Sequence, residues 1–349
     1  MGAKRSRFLH PDGARQDHLG IHEKTFRRGL GAMMGRTRPL RVLGLAALAG
    51  WAGLLSAALL WAAEPLRVVK SGTTLTLYGV AFASPSAGWV VGGGGTILTT
   101  ADSGETWKAQ KSGSQESLYD VAFPTPKTGW AVGANGTILT TVDGGAKWTP
   151  RKSGTAVHLF DVTFLDARHG WIAGADGTIL STDDGGQTWQ DQPTGSRANL
   201  YSVLFLNDKA GWAVGALGTV LATKDGGRTW TAQESRTHST LFDISFPDPT
   251  VGWIAGNGGA LLRTLDGGAQ WEDRSLPHPA DLTGMAFTDF KNGWVVGDRG
   301  TILRTTDGGF TWAPYGRSPH TTLYGMVLLN GKRGLAVGDK GTIMQIVVP

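Results

Sequence analysis

The 349-residue sequence contains no cysteine. Disulfides, thiolate metal sites and cysteine nucleophiles are therefore excluded, and the chain suits an oxidising or a reducing compartment equally well. Helical periodicity is missing everywhere after Ala63. A bulk cation excess is missing there too. The net charge of +5 divides into ten Lys/Arg against three Asp/Glu in residues 1–41, and 23 against 25 in residues 64–349. The basic character belongs to the N-terminal tail, so no nucleic-acid partner is expected for the rest. The eight histidines fall mostly in the tail or in connections, and neither a metal ion nor another cofactor is expected. What is abundant is glycine, 53 residues, and tryptophan, 14 residues. Together they suggest many short strands joined by tight turns.

The longest uncharged run is VLGLAALAGWAGLLSAALLWAA, residues 42–63. As a helix it would be about 33 Å long, enough for a hydrocarbon core of about 30 Å. Arg36, Arg38 and Arg41 precede it and Glu64 follows. The positive-inside rule then keeps the tail, residues 1–41, in the cytoplasm and exports everything after Glu64. If translation starts at Met33 or Met34, the lead becomes MGRTRPLR and reads as an ordinary signal n-region. The run is either a membrane anchor or a cleaved signal, with Ala58 and Ala63 as candidate cleavage points. The remainder, residues 64–349, is expected on the periplasmic or lumenal side, anchored or released.

Gly-Trp pairs begin at Gly88, Gly129, Gly170, Gly211, Gly252 and Gly293, with Gly334-Leu335 as a seventh, every step being 41 residues. Each unit has the content of four strands. In the second, LYDVAF (118–123) and WAVG (130–133) are followed by a Gly-x-x-Gly turn and TILTT (137–141), and a fourth strand begins at Trp148. Such strands are rich in β-branched and aromatic residues, with Gly, Asp or Pro at the junctions. Seven units predict an all-β, single-domain, seven-bladed propeller of four-stranded blades, a monomer whose ring leaves no long free edge. The seventh unit ends at GTIMQIVVP, one strand short. Leu66 stands 41 residues before Trp107, in fourth-strand register, so Leu66–Lys70 is expected to complete the last blade.

Between the third and fourth strands lies a six-residue box, as in DGGRTW (225–230). Its acidic residues are Asp102, Asp143, Asp184, Asp225, Asp266 and Asp307. Each carboxylate can accept backbone N–H groups of the following turn, the glycines take positive φ, and the Trp buries apolar surface between blades. Six copies in one register indicate a structural device, because a catalytic site is normally a single break in the symmetry.

The box resembles the Asp-box, or bacterial neuraminidase, repeat found in sialidases and many other propellers. The longer pattern Leu-Tyr-Asp-Val-x-Phe, Gly-Trp-x-Val-Gly-x-x-Gly-Thr-Ile-Leu-x-Thr, Asp-Gly-Gly-x-Thr-Trp resembles the photosystem II assembly and stability factor family. That resemblance covers residues 66–349. It implies an exported, non-enzymatic helper that binds a membrane protein complex or its subunits: photosystem II in a photosynthetic host, otherwise an envelope complex. The alternative is a glycan-binding or sialidase-like glycoside hydrolase propeller.

Sialidase chemistry would require a tyrosine nucleophile with acidic partners and an arginine cluster. Four of the five tyrosines, Tyr78, Tyr119, Tyr201 and Tyr324, share one repeat position with Phe160 and Phe242, which reads as packing. Asp120, Asp161 and Asp243 share the next position, where Gly79, Ser202, Gly284 and Gly325 break the series. They are candidates for a cation or for hydrogen bonds to neighbouring backbone. Gly92–Gly95 is the local copy of the hairpin turn and not a phosphate loop. The connections from each fourth strand to the next first strand hold ten Lys/Arg, six Asp/Glu and four histidines. They should share one ring face with the Gly-x-x-Gly turns, opposite the Asp boxes. Arg151, Arg197, Arg236, Arg274 and Arg317 each come from a different connection, and are candidates for a cationic rim that grips an acidic peptide or headgroup.

Overall fold

The computed structural model describes residues 65–316, 318–329, 331 and 333–348. The tail and the predicted apolar helix of residues 42–63 lie outside them. Among the described residues no helix is long and apolar enough to cross a membrane.

Seven four-stranded antiparallel sheets follow one another, each strand hydrogen-bonded to the next in sequence. Blade 2 is representative: Leu118–Ala122, Gly129–Gly133, Ile138–Thr141 and Thr149–Arg151 run from the innermost strand to the outermost. The seventh sheet takes its first three strands, Leu323–Leu328, Arg333–Gly338 and Thr342–Val347, from the C-terminal end, and its fourth, Leu66–Val69, from the other end of the chain. Leu66 faces Ile346 and Val69 faces Ile343, in the register expected from the 41-residue step. The propeller is closed.

Among the described residues seven of the eight apolar clusters each join one pair of neighbouring blades. Trp89, Val91 and Ile97 of blade 1 pack with Leu118, Val121 and Phe123 of blade 2, and Val69, Val337 and Ile343 of blade 7 pack with Leu77, Val80 and Val90 of blade 1. Aromatic rings order these interfaces. Trp89 stacks on Phe123 at 3.5 Å, Trp130 on Phe164 at 4.0 Å and Trp171 on Phe205 at 3.7 Å, always across a blade boundary. Each Phe also meets the box Trp of its own blade edge-on, as Phe164 does Trp189 at 5.9 Å. The same Phe explains the glycine of the Gly-Trp pair. A Cβ on Gly129 would sit 2.4 Å from the Phe123 ring. Blade 7 departs from this scheme, with Leu328 and Leu335 where the others have Phe and Trp.

Candidate partner-binding face

The connections do lie beside the Gly-x-x-Gly turns. Gly136 N donates to the Val157 carbonyl at 2.8 Å, and Ala134 N to that of Ser117 at 2.9 Å. Asp boxes instead adjoin the turns between first and second strands, as Gly144 N bonded to the Lys127 carbonyl at 2.8 Å illustrates. The two ring faces are therefore built from different loops.

Beneath the connection face each innermost strand carries a bulge. In blade 2 Leu118 faces Gly133 and Asp120 already faces Val132, leaving Tyr119 as the extra residue. All seven blades show this one-residue shift. A bulge turns its extra side chain away from the regular alternation. The seven extra residues are Tyr78, Tyr119, Phe160, Tyr201, Phe242, Thr283 and Tyr324. Six of them form an aromatic collar drawn from different blades. Tyr324 meets Tyr78 at 5.4 Å, Tyr78 meets Tyr119 at 5.6 Å, Tyr119 meets Phe160 at 5.8 Å, Phe160 meets Tyr201 at 5.0 Å and Tyr201 meets Phe242 at 5.7 Å. Thr283 interrupts the series, its hydroxyl donating to the Leu323 carbonyl at 2.5 Å.

The collar is chemically two-sided. Under its blade 2–5 arc lie Ala134, Ala175 and Ala216. Blades 6 and 7 place Asp298 and Asp339 at the equivalent turn position. Asp339 accepts from the Thr76 hydroxyl at 3.0 Å. Burial, and then the Asp339 charge, push the Tyr78 and Tyr324 phenols above their ordinary range. They stay neutral donors at any physiological pH. The Asp298 carboxyl is also raised, by burial first and by Asp281 second.

Next along each inner strand, Asp120, Asp161 and Asp243 bridge blades. Their Oδ2 atoms accept from Val162 N (3.4 Å), Val203 N (2.8 Å) and Met285 N (2.9 Å) of the following blade. Gly79 occupies this position in blade 1, where a Cβ would lie 2.7 Å from Asp120 Oδ1.

The turn tips above the collar are strained in a selective way. The third residue of each Gly-x-x-Gly turn is left-handed, and only Gly94 and Gly258 are glycine. Asn135, Asp176, Leu217, Arg299 and Lys340 hold φ of 53–56° there. For a leucine, arginine or lysine this costs about 1 kcal/mol or more. All five side chains are exposed, Leu217 to 76%. Arg236 does the same in its connection, with φ 59° at a register position that is Gly72, Gly113, Gly154 and Gly195 elsewhere.

The candidate rim is distributed unevenly. Arg151 and Arg274 share one register position at the outer-strand end, whereas Arg197 and Arg236 belong to the connection tips. Arg274 pairs with Glu272 at 2.9 Å and Arg236 with Glu234 at 3.8 Å. Among the described residues no ion pair involves Arg151 or Arg197. Arg317 lies outside the described residues.

On the opposite face each box aspartate is held by its own turn. Asp184 accepts from Thr188 N (3.0 Å) and the Thr188 hydroxyl (2.6 Å), and the Thr182 hydroxyl reaches it at 2.8 Å. These bonds, that of the Thr188 hydroxyl foremost, hold its carboxyl down to about 2. The hydroxyls of Thr106 and Thr311 do the same for Asp102 and Asp307, likewise to about 2. Asp143, Asp225 and Asp266 are lowered chiefly by backbone N–H groups, of Lys147, Thr229 and Gln270 respectively. The threonine two residues before each aspartate, such as Thr141, accepts from the box glycine (Gly145 N, 2.8 Å) while donating to Asp143. It closes each sequence TILTT-type strand, and this recurrence was the available signal for its role.

The family described as Photosynthesis system II assembly factor YCF48 matches residues 60–117, 110–158, 152–234, 229–284 and 275–346. The chain belongs to this family. Two solved structures with the same ring are "YCF48 bound to D1 peptide", 23% identical with a TM-score of 0.70 over 82% of this chain and 98% of that one, and YCF48 from Cyanidioschyzon merolae, 22% identical with a TM-score of 0.67 over 81% and 98%. The GH74 xyloglucanase of Xanthomonas campestris also shares the fold, at 14% identity and a TM-score of 0.64, and the chain spans 54% of that enzyme. No curated protein matches the chain.

Proposed function

We propose that this YCF48-family chain is a non-enzymatic, exported assembly factor that docks a segment of a membrane-complex subunit on its connection face. In a photosynthetic host the client is photosystem II, with a D1 segment as the natural candidate given the peptide-bound YCF48 structure. In another host it is an envelope complex. The observation that carries the reading is the ring of non-glycine left-handed tips. Backbone strain retained at exposed side chains points to selection for what those side chains touch. Leu217 and the half-buried collar rings Tyr78 and Tyr324 offer apolar contact, Arg299, Lys340, Arg197 and Arg236 offer charge, and Asp298 with Asp339 offers half-buried acceptors. Such a mixed surface suits an extended peptide better than a single small molecule. Hydrolysis of a glycoside by a tyrosine nucleophile is disfavoured, because Tyr78 and Tyr324 are raised in pKa and a nucleophilic phenol needs the reverse.

The test is capture from detergent-solubilised membranes with the full chain as bait. A second bait carries glycine, the residue the turns prefer, at Asn135, Asp176, Leu217, Arg236, Arg299 and Lys340. A third carries Arg→Gln at Arg151, Arg197, Arg236, Arg274 and Arg317. The wild-type bait should retain a membrane complex, and the glycine bait should lose roughly tenfold in yield without losing stability. Equal capture by all three would remove the connection face from the proposal. A wild-type bait that retains no membrane protein would end the assembly-factor reading.

A further inference from the structure

The Asp-box face carries an apolar patch that the client-binding reading leaves unused. Leu265, Phe290 and Phe310 are 54%, 54% and 71% exposed, on the neighbouring blades 5 and 6. Their register equivalents elsewhere include Thr306, Asp208 and Gln187, so the fold does not demand hydrophobic residues there. The two phenylalanines are held in place by their neighbours. Arg263, itself 4% exposed, runs under the patch with its guanidinium 4.8 Å from the Phe310 ring centroid and 5.8 Å from that of Trp253. The Phe310 box is tied to the Phe290 turn by Gly308 N, which donates to the Lys291 carbonyl at 2.9 Å. Lys291 lies over the Phe290 ring at 5.5 Å, and Lys224 and Arg228 are exposed on the box of blade 4. Of the acidic side chains alongside, Asp225, Asp248, Asp266, Asp289 and Asp307 accept from donors of their own turns, and Asp208 is exposed.

The chain enters the propeller on this face. Leu66 stands in the register of the box Trp107, and Pro65 in that of Thr106, so the described chain begins at the Asp-box end of the outer strand of blade 7. One residue further upstream than Glu64 the sequence becomes the uncharged run ending at Ala63.

We propose that the Asp-box face of blades 5 and 6 rests on a lipid bilayer, with Leu265, Phe290 and Phe310 entering the interface and Lys224, Arg228 and Lys291 meeting phosphate headgroups. Exposed aromatic and aliphatic side chains flanked by cations are what a bilayer surface selects. The connection face then points away from the membrane. The described chain begins on this face, and the uncharged run ends two residues before it in the sequence, which favours lipid over a second protein as the occupant. The client-binding proposal can fail without affecting this one, since no residue is shared.

The test uses residues 65–349, which contain every strand of every blade, and vesicles of phosphatidylcholine with and without phosphatidylglycerol. The variant Leu265→Thr/Phe290→Asp/Phe310→Gln carries residues that other blades tolerate at these positions. Wild-type propeller should co-sediment with the mixed vesicles, and the variant should partition about tenfold less at an unchanged Tm. A variant that fails to fold is replaced by Phe310→Gln alone, with a smaller drop in the same direction expected. Absence of wild-type binding, or binding indifferent to these substitutions, would overturn the assignment. So would a dimer abolished by the same substitutions in protein that ignores vesicles, which would make the patch a surface for a second copy.

Discussion

At the scale of single residues the box aspartates are the best-defined charges in the molecule. Their carboxyls lie below the ordinary range because the charged form collects hydroxyl and N–H donors. A depressed carboxyl contributes stability above its unfolded pKa, about 4, and loses it as pH falls through the folded value. For Asp102, Asp184 and Asp307 the folded value is about 2. The expected window of loss is therefore between about pH 4 and pH 2. A variant with Asn at those three positions should melt earlier than wild type at pH 7, yet lose less Tm across that window. Parallel Tm–pH curves for the two proteins would show that these carboxylates do not govern acid unfolding. The role of the preceding threonine was not legible in the box as a six-residue motif, because its hydroxyl acts from the end of the third strand. The left-handed tips were hidden for a related reason: Leu217, Arg299 and Lys340 are residues whose types argue against the conformation they hold.

Among the elements, the blade boundary is the unit that stabilises the ring. A Trp from one blade, a Phe from the next and that blade's box Trp form a three-ring contact, with Trp and Phe 3.5 Å apart at Trp89–Phe123, 4.5 Å at Trp212–Phe246 and 6.2 Å at Trp253–Phe287. The sequence displayed this regularity openly, since Gly-Trp pairs and boxes recur in phase, and strand order, blade number and even the closing strand could be derived from the spacing. The bulge could not. It is a one-residue slip between backbones, and it converts a Tyr/Phe position that reads as ordinary packing into a collar. Grouping arginines by connection likewise missed that Arg151 and Arg274 sit at outer-strand ends while Arg236 sits at a tip. Phe164→Ala tests the boundary itself. It removes the ring between Trp130 and Trp189, and should cost about 3 kcal/mol in urea denaturation. A loss below about 1 kcal/mol would mean that the stack contributes no more than an ordinary surface contact.

For the whole molecule the question is what keeps the ring shut where its two ends meet. Each blade 7 boundary has a leucine in place of one ring of the aromatic pair, Leu328 with Trp294 and Leu335 with Phe82, so the closing strand and its polar clasp act where packing is least aromatic. The clasp is supplied by the one box that departs from the glycine pattern, DSGETW. Glu105 accepts from the Arg67 guanidinium of the closing strand and from Arg333 of blade 7 at 2.8 Å. Gln345 accepts from Arg67 at 3.1 Å and donates to the Gly104 carbonyl at 3.1 Å. The hydrogen bond from Arg67 is the main cause that lowers the Glu105 carboxyl. These groups are partly exposed, so Glu105→Ala should cost only about 1 kcal/mol. Deleting residues 66–69 is a different order of change, because it uncovers the Thr342–Val347 strand along its length and takes buried Val69 from the blade 7–blade 1 cluster. An uncovered strand edge recruits other chains. The deletion variant should therefore elute as mixed oligomers by light scattering and be cut by protease within blade 7, whereas Glu105→Ala should remain a monomer with a modestly lower Tm. A deletion variant that stayed monomeric at wild-type Tm would show that the six remaining blade boundaries suffice to hold the ring, and that the closing strand serves the route of the chain and not its stability.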